Sequence, residues 1–166
     1  MAARRDLLLA GAAAPLLAAC GFHLRQAPNF DFKSIGLALP VSAPLSVELR
    51  RQLEGTGQLQ VVTDAAQVAK ADVVLESPGE QRERVVVSTT TTGEVRELTL
   101  RLRFRFRLRT GAGRELLPMS EITRQIDQSY SETAALSKEQ EALMLYQNMQ
   151  GDIVQQVMRR LATVKI

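Results

Sequence analysis

The chain has 166 residues, 45% hydrophobic and 23% charged, with a formal net charge of +3 and a pI near 9.4. A chain this long makes one domain that buries about two-thirds of its unfolded surface without disulfide staples, and its composition excludes both wholesale disorder and an integral membrane bundle. One Cys excludes an intramolecular disulfide or a Cys-rich zinc site, one His argues against His-based metal sites, and +3 is too little for a general nucleic-acid coat.

Arg4 and Arg5 precede an uncharged run over residues 7–19 that ends in small side chains. This is the charged start and apolar stretch of a secretory signal, too short for a bilayer core of roughly 30 Å. Leu17-Ala18-Ala19-Cys20 resembles the bacterial lipobox, in which the thiol is acylated and becomes the new N-terminus. Cys20 is the only Cys, and Gly21 after it is compatible with sorting to the outer membrane. The competing reading is an ordinary signal cleaved beside a buried Cys. Acyl chains would anchor the protein firmly, at ~0.8 kcal/mol per buried methylene. The expected organisation is a signal peptide over 1–19, a lipidated tether over 20–33 and one domain over 34–166, working on the periplasmic side.

Residues 34–39 alternate loosely and are closed by Pro40, a short first strand. Ser42 and Pro44 open a helix with Leu45, Leu49 and Leu53 on one face, and Gly55 and Gly57 end it. Residues 59–63 form a short apolar piece. Residues 71–77 read as a strand closed by Pro78 and Gly79, and residues 84–92, rich in Val and Thr, as another. Gly93 marks a turn. Leu98, Leu100, Leu102, Phe104, Phe106 and Leu108 then alternate without error with Glu97, Thr99, Arg101, Arg103, Arg105, Arg107 and Arg109. That period of two predicts a long strand with one face in the core and one in water. After a Gly-rich loop at 110–113, residues 116–129 return as a strand with Ile122 and Ile126 inward and Pro118 at a bulge or edge. Ser137 and Gln140 resemble a capping box. The closing helix buries Ala142, Tyr146, Met149, Ile153, Val157 and Leu161, with Gly151 admitting a close neighbour. The predicted fold is α+β, a two-layer sandwich of two helices on one face of a mostly antiparallel sheet of about four strands.

Catalytic motifs are missing: there is no Gly-x-Ser-x-Gly, Walker loop, His-Glu-x-x-His or Gly-x-Gly-x-x-Gly. His23, three residues from Cys20, is badly placed for a general base, so no enzyme, metal or cofactor is expected. The arginines project from one strand face ~6.8 Å apart. Two readings stand side by side. One is a cationic rail for a phosphate-bearing partner, extended by Arg82, Arg84, Arg96 or Arg124. The other is a solvated face with cross-strand ion pairs to acids such as Glu83 and Glu97.

Cys20-Gly21-Phe22-His23-Leu24-Arg25 resembles the start of a mature LptE-family lipoprotein. Pro44 to Ser46, the hairpin around Gly93, Leu117-Pro118-Met119-Ser120 and Leu136-Ser137-Lys138 are colinear with that family. The resemblance implies a non-catalytic outer-membrane lipoprotein that plugs and helps assemble an LptD-like β-barrel and binds lipopolysaccharide. It points to Lys138 as a ligand contact, with a surface lysine as the plain alternative. The family's second basic position falls near Thr91, where this chain has no base, so Arg101, Arg103, Arg105 and Arg107 stand as substitutes. Leu117, Pro118 and Met119 resemble a barrel-contacting loop, or are simply a turn. The competing functions are an accessory lipoprotein of another envelope lipid-transport system and a hydrolase with an unseen acidic site.

Overall fold

A computed structural model describes residues 28–166, so the signal sequence, Cys20, His23 and the opening hexapeptide lie outside the described residues. The period-two segment forms β4 (Val95–Thr110), and the pieces before and after it form β3 (Val73–Thr89) and β5 (Glu115–Ser129), both antiparallel to it. Leu100, Leu102, Phe104, Phe106 and Leu108 are fully buried, as the alternation requires. β1 (Ser34–Ala38) pairs in parallel with β3 on one side and with β2 (Gln60–Val62) on the other. The sheet order is therefore β2-β1-β3-β4-β5, five strands rather than about four. β2 has only three residues, too few for periodicity to reveal, and it forms because the helix after β1 returns the chain to the β1 edge.

That helix, α1 (Pro44–Gly55), and the closing helix, α2 (Ala135–Thr163), form the second layer. Leu45, Leu49 and Leu53 meet the inward positions of α2 from Ala142 to Leu161, all buried. Burying side chains of this size contributes roughly 1.5–3 kcal/mol each.

Three local expectations are corrected. Pro78 does not end a strand: β3 runs through it in one piece of 17 residues. Between Glu76 and Gly79 the register against β4 slips by one residue, a bulge that accommodates a residue with no N–H to donate, and Gly79 takes a φ of 105° there. Pro118 sits in the matching bulge of β5, between Leu117 and Ser120. The second correction concerns Ser137, which is not a cap. α2 begins earlier, with Ala134 before it, and Ser137 Oγ donates to the Ala134 carbonyl at 2.9 Å. The third is Gly151, where nothing lies within 4 Å of an added Cβ, so no close neighbour within the described residues explains it.

Candidate functional site

Cross-strand register decides which charges share a face. Arg101, Arg103, Arg105, Arg107 and Arg109 lie on the side of the sheet away from the helices, opposite Glu83, Gln81, Gly79, Glu76 and Val74 of β3. On the β5 side, Gln125, Thr123, Glu121 and Glu115 face Arg101, Arg103, Arg105 and Arg109. With Glu97 and Asp127 in the rows beyond, the five arginines share this face with six carboxylates.

Two of those carboxylates hold four of the guanidiniums. Glu83 receives Arg103 through its Nη2 and approaches Arg101 at 3.4 Å. Glu76 receives Arg107 and Arg109, both at 2.6 Å. The Arg109 guanidinium, and after burial's opposing effect that of Arg107, hold the Glu76 carboxyl below its usual range. Arg105 is exposed and, among the described residues, has no carboxylate within 4 Å. Its β3 neighbour is Gly79, which has no side chain to offer, and Glu121 across from it accepts from Thr123 Oγ1 at 3.0 Å. The arginine row is thus largely an ion-paired ladder with one open guanidinium in its middle.

Arg82, Arg84 and Arg124 do not join the row. They share rows with Leu102, Leu100 and Leu102, on the helix side. Arg82 lies over the Tyr146 ring at 5.1 Å and pairs with Glu80 at 2.7 Å. Arg84 makes a two-pronged pair with Glu139 at 2.6 and 2.8 Å, which raises the Arg84 pKa and lowers that of Glu139. Arg124 lies 3.8 Å from Asp152. Arg96 occupies a bulge of β4 near the hairpin turn. Of the acids expected to neutralise the row, Glu83 does so; Glu97 makes no ion pair among the described residues, and Glu76 takes that part.

Lys138 stands in the first turn of α2, 21% exposed, with Nζ donating to Glu141 at 2.8 Å and to Ser129 Oγ at 3.1 Å. Lys138 is the leading cause of the lowered Glu141 pKa. Its carbonyl accepts from the buried Gln128 amide at 2.9 Å, which fixes the helix start to β5. Leu117 packs partly against the core, whereas Pro118 and Met119 are exposed in the β5 bulge at the open edge of the sheet. Along β5, Lys138 meets Ser129 eight residues beyond Glu121, the partner of Arg105, while Leu117 to Met119 lie just before Glu121. Among the described residues no His, Cys, Asp and Glu group is arranged to hold a metal ion, and no helix is long and apolar enough to cross a membrane.

A family model described as LptE: Lipopolysaccharide-assembly matches residues 28–161. No curated protein matches. Among solved structures, the solution structure of an uncharacterized lipoprotein B from Nitrosomonas europaea is 29% identical with a TM-score of 0.70, covering 86% of this chain and 90% of that one. The crystal structure of rare lipoprotein B from Shewanella oneidensis is 22% identical with a TM-score of 0.65, covering 79% and 95%. A minor lipoprotein from Acinetobacter baumannii is 20% identical with a TM-score of 0.63, covering 82% and 97%. The last two share the fold.

Proposed function

This chain belongs to the LptE lipopolysaccharide-assembly family, and we propose that it is the lipoprotein partner of an LptD-like outer-membrane β-barrel, acting as its plug and assembly factor and binding lipopolysaccharide in transit. The observation that carries this reading is the family match from residue 28 to residue 161, which takes in every strand, α1 and all but the last two residues of α2. The lipoprotein fold it shares with proteins of three other bacteria is consistent with the same compartment. In this reading Cys20 carries the acyl anchor on the periplasmic side of the outer membrane, residues 1–19 are removed, and no reaction is catalysed.

The site assignments follow the same reading. Lys138 and the Arg101, Arg103, Arg105 and Arg107 row are the candidate contacts for lipopolysaccharide phosphates. Arg105 offers an immediate charge, while its neighbours must share Glu76 or Glu83 with the ligand. Leu117, Pro118 and Met119 are the candidate barrel contacts, since a bulged, Pro-blocked edge strand exposes side chains while discouraging strand addition.

Mild-detergent purification of the full lipoprotein from its own membranes tests the reading. The expected result is one outer-membrane barrel chain per lipoprotein. An inner-membrane transporter in its place would move the protein to another lipid-transport system. Recovery of the lipoprotein alone, under conditions that preserve a known barrel complex, would sink the assignment.

A further inference from the structure

We propose that the crevice at the carboxyl ends of β1 and β2 binds a single-chain amphiphile, a hydrocarbon with one compact anionic head. β1 pairs in parallel with both of its neighbours. The chain leaves β1 into α1 on the helix side of the sheet, and leaves β2 toward the short turn Val68–Lys70 on the other side. Gly36 fixes that second placement. Its neighbours Ile35 and Leu37 belong to the core beneath the helices, and the Val68 carbonyl oxygen lies 2.5 Å from where a Gly36 Cβ would stand. Adjacent parallel strands whose connections go to opposite faces open a crevice outside their carboxyl ends, and in open α/β sheets ligands bind there. Here β3 runs on past the end of β1 and supplies a wall, Ser77 and Pro78, at its bulge.

The crevice has a volume of about 560 Å³, within the range of small-molecule sites. Its walls are mostly apolar: Leu39, Pro40 and Val41 after β1, Val68 and Ala69 of the turn, and Pro78 of β3. A smaller cavity lined by Ser46 and Arg50 of α1 adjoins it, and the two share Leu37, Leu39, Val41 and Thr63. Ser46 is 5% exposed, and its Oγ is buried without a hydrogen-bond partner among the described residues. An unpaired buried hydroxyl is costly, so its setting calls for a polar atom in the small cavity.

The charges select the head. Arg109 reaches the rim of the crevice, but Glu76 holds its guanidinium at 2.6 Å, and the carbonyls of Thr110 and Gly111 accept from it at 3.2 and 3.5 Å. Arg50 is freer: among the described residues its carboxylate partner is Glu54 at 4.0 Å, a long and exposed pair. Thr63 is exposed, with its hydroxyl unengaged among the described residues. No carboxylate lines either cavity. A cation, a buried hydroxyl and a free threonine around a small cavity suit a carboxylate or a phosphate, and the apolar crevice beside them suits a hydrocarbon chain. The site is remote from the hairpin turn and from Lys138. From Pro78 to Ser88, whose row leads to Ser129 and Lys138, β3 runs ~34 Å.

The test uses the full lipoprotein in phosphatidylcholine vesicles and probes that carry a photoreactive group near the end of the same chain: dodecanoic acid, dodecyl phosphate and dodecanol. Adducts of one or both acids should concentrate on residues 37–41 and 63–69, in roughly tenfold excess over dodecanol. Labelling by one acid alone identifies the head as carboxylate or phosphate. Dodecanol labelling equal to that of both acids, or adducts spread over the rest of the domain, would overturn the inference. Arg50→Gln should lower the labelling roughly tenfold in a protein with unchanged circular dichroism. Ser46→Ala should lower it as well without lowering Tm, because it removes a buried hydroxyl that has no partner in the unliganded protein. Unchanged labelling in either variant would mean that no anionic head sits there and would overturn the inference. The measurement needs no barrel, so its failure leaves the LptD partnership untouched.

Discussion

Glu80, on β3, accepts the Leu45 amide of α1 at 3.0 Å, so the sheet caps a helix whose own Ala43 has no side chain able to do so. The same carboxylate receives the Gln150 amide of α2 at 3.0 and 2.9 Å and pairs with Arg82 at 2.7 Å. One largely buried group thus ties both helices to the strand just after its bulge. Truncation would leave the buried Gln150 amide and the α1 amide without their partner. Glu80→Ala should cost about 2–4 kcal/mol and Glu80→Gln about 1 kcal/mol, since Gln retains a carbonyl for Leu45. Urea unfolding of both variants checks the order; equal midpoint shifts would mean that packing, not hydrogen bonding, makes Glu80 matter.

Gly151 weakens α2 without an evident intramolecular return. The space where its Cβ would stand is open, and its backbone is in the helical region. Gly151→Ala should stabilise the isolated domain by about 0.5–1 kcal/mol, raising Tm by about 2–4 °C. A lower Tm would show that an added methyl disturbs the groove it shares with Pro44, Val47 and Gln147.

The arginine row makes a stability prediction and a binding prediction. Arg105→Gln removes no ion pair and should change stability by less than about 0.5 kcal/mol. Reversal of Arg103, Arg105 and Arg107 to Glu should weaken binding of phosphorylated lipid A by more than about tenfold and reduce its salt dependence. Circular dichroism establishes that the reversed variant is folded. Unchanged affinity in that variant would reduce the row to a solvated face.

The pH dependence follows from Glu76 and Asp72. Their carboxyls titrate below the ordinary range, Glu76 chiefly because of Arg109, and Asp72 chiefly because of the Lys33 amide with Ser34 adding to it. A group whose folded pKa is depressed contributes stability that is fully present above its unfolded pKa, about 4 for these acids. The contribution is lost as pH falls through the lower folded value. Stability should therefore hold from pH 7 to about 5 on account of these groups and decline below it. Glu76→Gln should make the decline shallower. Parallel urea midpoints for the two proteins between pH 5 and 3 would assign the acid sensitivity elsewhere.

Legibility varied with the range of the interaction. The β4 alternation gave away its core face because side chains two apart on a strand share a side whatever the partner. The leucines of α1 and the inward line of α2 were equally plain, and Gly93 and Gly113 do adopt positive φ at their turns. Nothing local announced Glu80 as a cap: Leu45 and Glu80 are 35 residues apart and meet only once α1 crosses the sheet. Pro78 misled for a related reason. A proline without a donor ends a strand unless a partner slips register around it, and that slip belongs to the pairing with β4.

The sequence by itself determined the two-layer class, the inward faces of β4 and both helices, the absence of familiar catalytic motifs and the family. These rest on periodicity, spacing and motif, which neighbouring residues carry along one chain. Only the tertiary structure decided how the charges were shared out. Bulges at the level of Pro78 and Pro118 shift both flanking strands against β4. That register puts Glu76 and Glu83 among the arginines, sends Arg82, Arg84 and Arg124 to the helix side, and leaves Arg105 facing a glycine. A one-residue slip exchanges the two faces of a strand, so this partition depends on pairings between residues far apart in the chain.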